Sequence, residues 1–362
     1  MLSRQALRRG AFLTRSFATA TTSGPLPTAE AATPAVRNDW SREEIQAIYD
    51  LPLMDLVYKA ATVHRVHQDA RKVQLCTLHN IKEGGCTEDC SYCAQSSRYK
   101  TTVKAKKMAD VDEVLEAARK AKANGSTRFC MGAAWRDMRG RKSGMNKIIT
   151  MVKEIRAMDM EVCTTLGMVD KEQAALLREA GLTAYNHNLD TSREHYPNVI
   201  TTRSYDERLA TIKAVRDAGI KVCSGGIVGL GETRTDRVGL IHELSNLPTH
   251  PESVPINALV PIPGTPLGDI ERLPFHDVLR TVAIARITMP LTVVRLAAGR
   301  VSMTEEQQAL CFMAGANAVF TGERMLTTGC SGWEEDHALL GRWGMSGLGA
   351  FEGQNMVGGG CH

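Results

Sequence analysis

The chain has 362 residues and carries 44 Lys and Arg against 40 Asp and Glu, a formal net charge of +4. Part of that small excess sits in the first residues, so the charge balance argues against a nucleic-acid or other polyanionic partner. The sequence holds no apolar run long enough to cross a bilayer, and its length admits either two average domains or one barrel of alternating strands and helices.

Residues 1–29 include Arg4, Arg8, Arg9 and Arg15, several Ser and Thr, and no acid. Wound as a helix, Leu2, Ala6, Leu13 and Phe17 share one face and Arg4, Arg8 and Arg15 another. This is the composition of a mitochondrial transit peptide, cut near Arg15 and Phe17, and it sets the mitochondrial matrix as the expected location; a secretory signal would need an unbroken apolar core after its charges. The stretch to residue 37 reads as linker. The folded part is expected over 38–348, with 349–362, "GAFEGQNMVGGGCH", as a disordered Gly-rich tail. Behind a matrix-targeting segment, ten cysteines read as thiols, metal ligands or catalysts rather than disulfides.

From there one pattern recurs: a polar-capped amphipathic segment ends at glycine, and a short β-rich run follows. "DVDEVLEAARKAKANG" sets Asp110 as N-cap with Glu113 three residues on and Gly125 as the stop. "DKEQAALLREAG" closes at Gly181, and "SYDERLATIKAVRDAG" pairs Ser204 with Glu207 before Gly219. Eight runs are predicted as strands: "QLCTLHNI", "TRFCMG", "MEVCTTLG", "TAYNHNLD", "IKVCSGGIV", "VPINALV", "TVVRLAAG" and "NAVFTG". Their separations leave room for a crossover helix each time. Eight strands alternating with helices predict an α/β fold, a (β/α)8 TIM-type barrel. A doubly wound open sheet is the alternative, since strand count alone does not establish closure.

"GGCTEDCSYCAQSSRY", residues 84–99, places Cys86, Cys90 and Cys93 at spacings of four and three, on the loop between the first strand and the first capped helix. In a barrel that loop lies on the face where active sites are built. A structural zinc would need a fourth ligand, and His79 lies on the preceding strand; a redox pair would leave Cys86 unused. Three thiolates suit a 4Fe-4S cluster with one iron left open for a ligand that is not protein.

Three predicted strands carry a central cysteine, Cys130, Cys163 and Cys223. A fourth carries Asn186, Asn188 and Asp190, whose spacing of two sets all three on one face. Asn257 and Arg295 sit on two more. Each cysteine alone reads as a small core residue; together with Arg and Asn, which resist burial without partners, they point to a second metal or sulfur site in the lumen. Cys76 and Cys311 have apolar surroundings and read as core, and Met in "MVKEIRAMDM" as core filling. Cys330 and Cys361 lie in Gly-rich, mobile stretches, and His64 and His67 take structural or surface roles.

The trio, with Tyr92 before its third cysteine, resembles the signature of radical S-adenosylmethionine enzymes. "GGCTEDCSYCAQSSRY", "GSTRFCMGAAWR", "MEVCTTLGM", "GLTAYNHNLDTS", "VCSGGIVGLGET", "SVPINALV" with "GTPL", and "VRLAAGR" resemble, in order, the motifs of the biotin synthase family from about Asn38 to Thr328. That resemblance implies that Cys86, Cys90 and Cys93 hold the 4Fe-4S cluster, whose open iron chelates S-adenosyl-L-methionine. It implies that Cys130, Cys163, Cys223 and Arg295 hold a 2Fe-2S cluster, and that sulfur from it enters dethiobiotin after a radical removes hydrogen from saturated carbon. Tyr92, Ala133, Trp135, Asn188, Asp190 and Ile227 are the implied contacts to S-adenosylmethionine. Asn186, Asn188, Asn257, Thr327 and Thr328 are those to substrate, with Asn188 and Asp190 also in the catalytic set. A ferredoxin-type electron donor, iron-sulfur cluster assembly proteins and a homodimer are implied partners.

The ligand role of Arg295 rests on the resemblance alone, because a guanidinium is ordinarily a donor. Two departures stand out. After Thr328 the family usually continues with Pro-Asn, whereas this chain reads "GCSGWEEDHALL", and Pro263 stands where a Lys is common. A lipoyl synthase would carry a second cysteine trio upstream, where residues 38–85 offer only Cys76, and an iron-sulfur carrier would not require the Asn, Asp and Arg set.

Overall fold

The computed structural model describes residues 36–352. The expected transit peptide lies outside the described residues, as do residues 353–362 of the expected tail. Residues 349–352 are described: the Phe351 N–H donates to Glu161 Oε1 at 3.1 Å, and the Arg156 guanidinium lies 4.4 Å from the Phe351 ring centre.

Two helices, α1 (Arg42–Tyr49) and α2 (Leu53–His67), precede the first strand and pack against the helical layer outside the barrel. Then come β1 (Lys72–Lys82), α3 (Val111–Ala123), β2 (Arg128–Ala133), α4 (Lys142–Ala157), β3 (Glu161–Thr165), α5 (Lys171–Glu179) and β4 (Ala184–Asn186). They are followed by α6 (Tyr205–Asp217), β5 (Lys221–Cys223), β6 (Gly226–Val228), α7 (Arg234–Ser245), β7 (Ser253–Ala258), α8 (Phe275–Thr288) and β8 (Val293–Leu296). The last elements are α9 (Glu305–Met313), β9 (Ala318–Phe320), α10 (Trp333–Arg342) and β10 (Ser346–Gly347).

All eight predicted runs form parallel strands, the fifth as the two segments β5 and β6. The last strand pairs back onto the first, Gln74 opposite Ala318 and Leu75 opposite Val319, so the sheet is closed and the open-sheet alternative is excluded. The break in the fifth strand falls at Ser224 and Gly225. A Cβ on Gly225 would stand 2.1 Å from the Pro255 carbonyl oxygen, so only glycine lets β7 approach this closely. The short β10 extends the pairing outside the barrel, beside Lys72 and Val73.

The helix signals behave as local chemistry dictates. Ser204 with Glu207 and Asp170 with Gln173 form reciprocal caps on α6 and α5, and Gly125, Gly181 and Gly219 stop their helices in the left-handed region. Asp110 stands at the N-cap of α3 without capping it; its carboxylate is taken instead by Lys147 Nζ of α4, at 3.0 Å. The α4 face of Ile148, Met151, Val152 and Ile155 is buried, which places the methionine stripe in the core. Cys311 is fully buried on α9. His64 is buried too, and burial first, then the Arg286 charge, lowers its pKa to about 3 and keeps the ring neutral. Among the described residues no helix is long and apolar enough to cross a membrane.

The N-terminal end of the lumen is floored by polar side chains. Arg295 Nη2 donates to Gln74 Oε1 (2.9 Å), Gln74 Nε2 donates to Glu161 Oε2 (3.2 Å), and Arg128 Nε donates to the same oxygen (2.7 Å). Arg128 lines both the cavity above this floor and a second cavity of about 340 Å³ below it.

Candidate active site

The loop after β1 folds back on itself. Cys86 N–H donates to Gln95 O (2.9 Å), Ser97 N–H donates to Cys86 O (2.7 Å), and Cys93 N–H donates to Cys90 O (2.9 Å). Asp89, between two of the cysteines, ties the loop to residues 201 and 202: its carboxylate accepts the N–H groups of Thr201 (3.0 Å) and Thr202 (3.2 Å) and both hydroxyls. Cys86, Cys90 and Cys93 all face one cavity of about 320 Å³ at the C-terminal end of the barrel. Burial raises all three thiols, Cys93 to about 11.

Below the trio, neighbouring strands bring further sulfurs to the same cavity. Cys130 on β2 lies directly opposite Cys163 on β3, and Asn186 on β4 opposite Cys223 on β5. Cys130, Cys163 and Cys223 share one buried cluster, and Asn186 Nδ2 donates to Cys223 Sγ at 3.3 Å. The neighbouring Cys163 first, and against burial the Arg295 charge and Asn186, pull the Cys223 thiol down to about 6; Cys130 is pushed up to about 12, chiefly by Cys163. Arg295 on β8 completes the ring and is 1% exposed.

Cys76 is fully buried, as the core reading expects, in a cluster with Cys130, Cys163, Ala184 and Cys223, and it also accepts from Arg295 Nη1 at 2.8 Å. Strand alternation explains this, since Leu75 faces the outer core while Gln74 and Cys76 turn inward. Cys330 is likewise placed rather than loose, with Sγ 3.3 Å from Phe320 O, and Cys361 lies outside the described residues. Among the described residues, no group of three or more His, Cys, Asp or Glu side chains is arranged so as to hold a metal ion.

The remaining expected residues, Tyr92, Ala133, Trp135, Asn186, Asn188, Asp190, Ile227, Asn257, Thr327 and Thr328, all line this cavity. Asp190 is held hard: Tyr92 OH (3.0 Å) and Arg208 Nη2 donate to its carboxylate, and its carbonyl accepts from Ile227 N–H at 2.7 Å. Asn188 Oδ1 accepts from Asn186 Nδ2 (3.1 Å) and Gly225 N–H (3.2 Å). Asn257 bridges backbone, donating to Gly226 O (3.0 Å) and accepting from Ala298 N–H (3.1 Å), which leaves one N–H and one lone pair. Thr327 and Thr328 lie in a tight turn closed by Met325 N–H donating to Thr328 O at 3.0 Å. Beside it, Leu326 fits over Gly132, where a Cβ would stand 2.6 Å from it.

Sequence reasoning missed Arg203, Arg208 and His187, which also line the cavity. Arg203 is buried, its Nε and Nη1 lack hydrogen-bond partners, and its nearest carboxylate is Glu88 at 3.8 Å. Burial pushes the pKa of the His187 ring well below the ordinary imidazole value. "TTRSYDER" carried no signal beyond two arginines flanking a helix cap.

Known proteins match both the fold and the site. Residues 82–244 match the Radical SAM superfamily and residues 255–346 the Biotin and Thiamin Synthesis associated domain. A mitochondrial biotin synthase of Emericella nidulans is 66% identical over 90% of this chain and 83% of its own length; that of Saccharomyces cerevisiae is 57% identical over 87% and 86%. The chain belongs to the biotin synthase family. It is thus an enzyme of the radical S-adenosylmethionine class. A methylornithine synthase structure, 17% identical, shares the fold with a TM-score of 0.74 over 87% of this chain and 96% of its own. Against the biotin synthase pattern, the atypical residues after Thr328 build α10. Its Trp333 Nε1 donates to Thr77 Oγ1 and Ser126 Oγ, both at 3.3 Å, and Asp336 pairs with buried Arg300 through both oxygens, at 2.6 and 2.7 Å.

Proposed function

We propose that this chain converts dethiobiotin to biotin, the last step of biotin biosynthesis, in the mitochondrial matrix. The cofactors are a 4Fe-4S cluster, a 2Fe-2S cluster and S-adenosyl-L-methionine. The observation that carries this reading is the stacking of two separate sulfur sets in one cavity, Cys86, Cys90 and Cys93 at the mouth and Cys130, Cys163 and Cys223 beneath. When bound, these groups supply a radical able to take hydrogen from saturated carbon and an inorganic sulfide to replace it, chemistry that side chains alone do not offer.

The trio holds the outer cluster, and Cys130, Cys163 and Cys223, with Arg295, make the inner site. The unfilled donors of Arg203 suit the carboxylate of S-adenosylmethionine, and an anion there relieves a buried cation. Asp190 and Asn188 serve its ribose hydroxyls, while Tyr92, Ala133, Trp135 and Ile227 shape the wall around its other parts. Asn186, Asn188 and Asn257 offer amides to the urea ring of dethiobiotin, and Thr327 and Thr328 offer hydroxyls to its carboxylate. The barrel walls keep these partners in register and solvent out.

The mitochondrial names of the fungal and Arabidopsis thaliana relatives support the location, together with the basic, acid-free residues 1–29. A ferredoxin-type donor, iron-sulfur assembly proteins and a homodimeric state complete the reading. Anaerobic reconstitution with iron and sulfide, followed by dethiobiotin, reductant and S-adenosylmethionine, should yield biotin while the absorption of the inner cluster fades. Absence of biotin from fully loaded enzyme rejects the reading.

A further inference from the structure

Two segments at the rim of the barrel concentrate positive charge. Residues 98–107, after the cysteine loop, hold five Lys and Arg and no acid, and residues 136–147, from the end of β2 into α4, hold five and a single Asp. Their excess of nine positive charges is larger than the +4 of the whole chain, so the near-balanced total hides it. The segments are neighbours: Lys147 Nζ donates to Asp110 at 3.0 Å, and a Cβ on Gly144 would stand 3.9 Å from Met108 Sδ. Arg98, Lys100, Lys104 and Lys107 are exposed on the first, and Arg139, Arg141 and Lys142 on the second. Of the ten bases, only Lys106, Arg136 and Lys147 reach a carboxylate among the described residues.

The start of α4 runs against local stability. Arg141 stands at its N-cap and Lys142 at its first position, with no capping side chain and no acid in the first turn. Among the described residues every other α-helix has an Asp or Glu there. The positive end of a helix dipole favours carboxylates, so two cations at this place disfavour the helix taken alone. A local rule broken beside a site points to a use outside the fold.

The patch borders the outer cysteines. Lys106 N–H donates to Glu83 O (2.9 Å) and Ala109 N–H to Ile81 O (2.8 Å), which lays the first segment along the end of β1. Gly84, two residues before Cys86, lies so close to it that a Cβ would stand 2.8 Å from Lys104 O. On the other side the Arg141 guanidinium lies 4.9 Å from the ring centre of Trp135, which lines the same cavity as Cys86.

We propose that this basic patch is the docking surface for the one-electron donor, a small protein with an acidic face, and that it seats the donor beside the cysteine trio. The inference rests on reading the trio as the holder of a 4Fe-4S cluster and deepens that reading by giving the donor a place to bind. One electron leaves the reduced donor and enters the outer cluster; no bond forms or breaks and no proton moves. Opposite charges steer such an encounter and fix its orientation, and salt weakens it. A nucleic-acid backbone would match the charge, but nothing in its chemistry calls for a seat next to the trio.

The test measures electron delivery rather than turnover. Full-length wild type and the rim variants Lys104→Glu/Lys107→Glu and Arg139→Glu/Lys142→Glu are loaded anaerobically with iron and sulfide. Lys153→Glu/Lys213→Glu, an equal charge change at two exposed helix residues of α4 and α6, serves as control. The N-terminal arginines are common to all four chains. Each is mixed with a pre-reduced acidic 2Fe-2S ferredoxin or with photoreduced deazaflavin, and reduction of the outer cluster is followed by visible absorption and EPR at low and moderate salt. Ferredoxin rates are taken relative to deazaflavin rates, so a partly loaded variant remains readable. At low salt each rim variant should accept electrons from ferredoxin about tenfold or more slowly than wild type, with a flatter salt dependence, while the control stays within about twofold. Wild-type ferredoxin rates in both rim variants overturn the proposal, as does an equal loss in the control, which would show net charge alone at work. A short RNA that binds wild type but neither rim variant, with ferredoxin rates unchanged, gives the patch to nucleic acid and overturns it equally. A wild type that takes up no outer cluster rejects the cluster reading and the inference together, an outcome separate from unaltered rates in loaded rim variants.

Discussion

Asp190 shows how much one side chain can be asked to hold. Its backbone sits in the left-handed region at φ 68, uncommon outside glycine, and its carboxylate joins Tyr92 of the cysteine loop to Arg208 of α6. The period-of-two reading of Asn186, Asn188 and Asp190 brought all three to the cavity, although β4 ends at Asn186 and the other two lie past it. Spacing carries no trace of the positive φ. The burial of Cys76 was legible too, but its contact with Arg295 was not, because it joins two strands far apart in the chain. Arg203 was not legible: a lone arginine before a helix resembles any surface arginine until burial and empty donors are seen. Hydrogen bonds to charged groups contribute about 1.5–3 kcal/mol. Arg203→Met should therefore weaken S-adenosylmethionine binding by about tenfold or more while leaving dethiobiotin affinity near wild type, as equilibrium binding with each ligand will show.

At the scale of elements, the cysteine loop is positioned by its tie to residues 201 and 202. Burial works to raise the Asp89 carboxyl, but hydrogen bonds from Thr201 and Thr202 overcome it and hold the pKa at about 2. The folded value is thus below the ordinary value of about 3.9. The stabilisation is fully present above about pH 4 and is lost as pH falls through 2. Thermal unfolding of the cluster-free chain should show Asp89→Asn less stable than wild type at pH 7, with the gap closing toward pH 2. Helix α10 was the element least visible in advance, because "GCSGWEEDHALL" departs from the motif that guided the reading. In the structure the indole of Trp333 supplies the anchor, reaching hydroxyls on β1 and on the turn before β2.

At the scale of the molecule, eight strands with helical separations were readable from periodicity and glycine stops. Closure was not, because it depends on the pairing of Gln74 and Leu75 with Ala318 and Val319 across the whole chain. Nor did pattern reveal the floor, where Glu161 opens β3 as a buried acid between Arg128 and Gln74. Removing one partner of a buried ion pair costs about 3–5 kcal/mol. Glu161→Ala should lower the denaturation midpoint accordingly and increase loss of the inner cluster on dilution, followed by its visible absorption; an unchanged midpoint would show that the floor bears no load.

Because every strand runs the same way, each following helix starts at the rim that carries Cys86, Cys90 and Cys93, with the positive end of its dipole there. Capping carboxylates offset part of this field, and the buried arginines of the cavity reinforce the remainder. Capture of a carboxylate-bearing molecule at the rim is then helped by attraction over a distance that added salt shortens. Raising ionic strength should slow binding of a free acid while leaving its methyl ester almost unaffected.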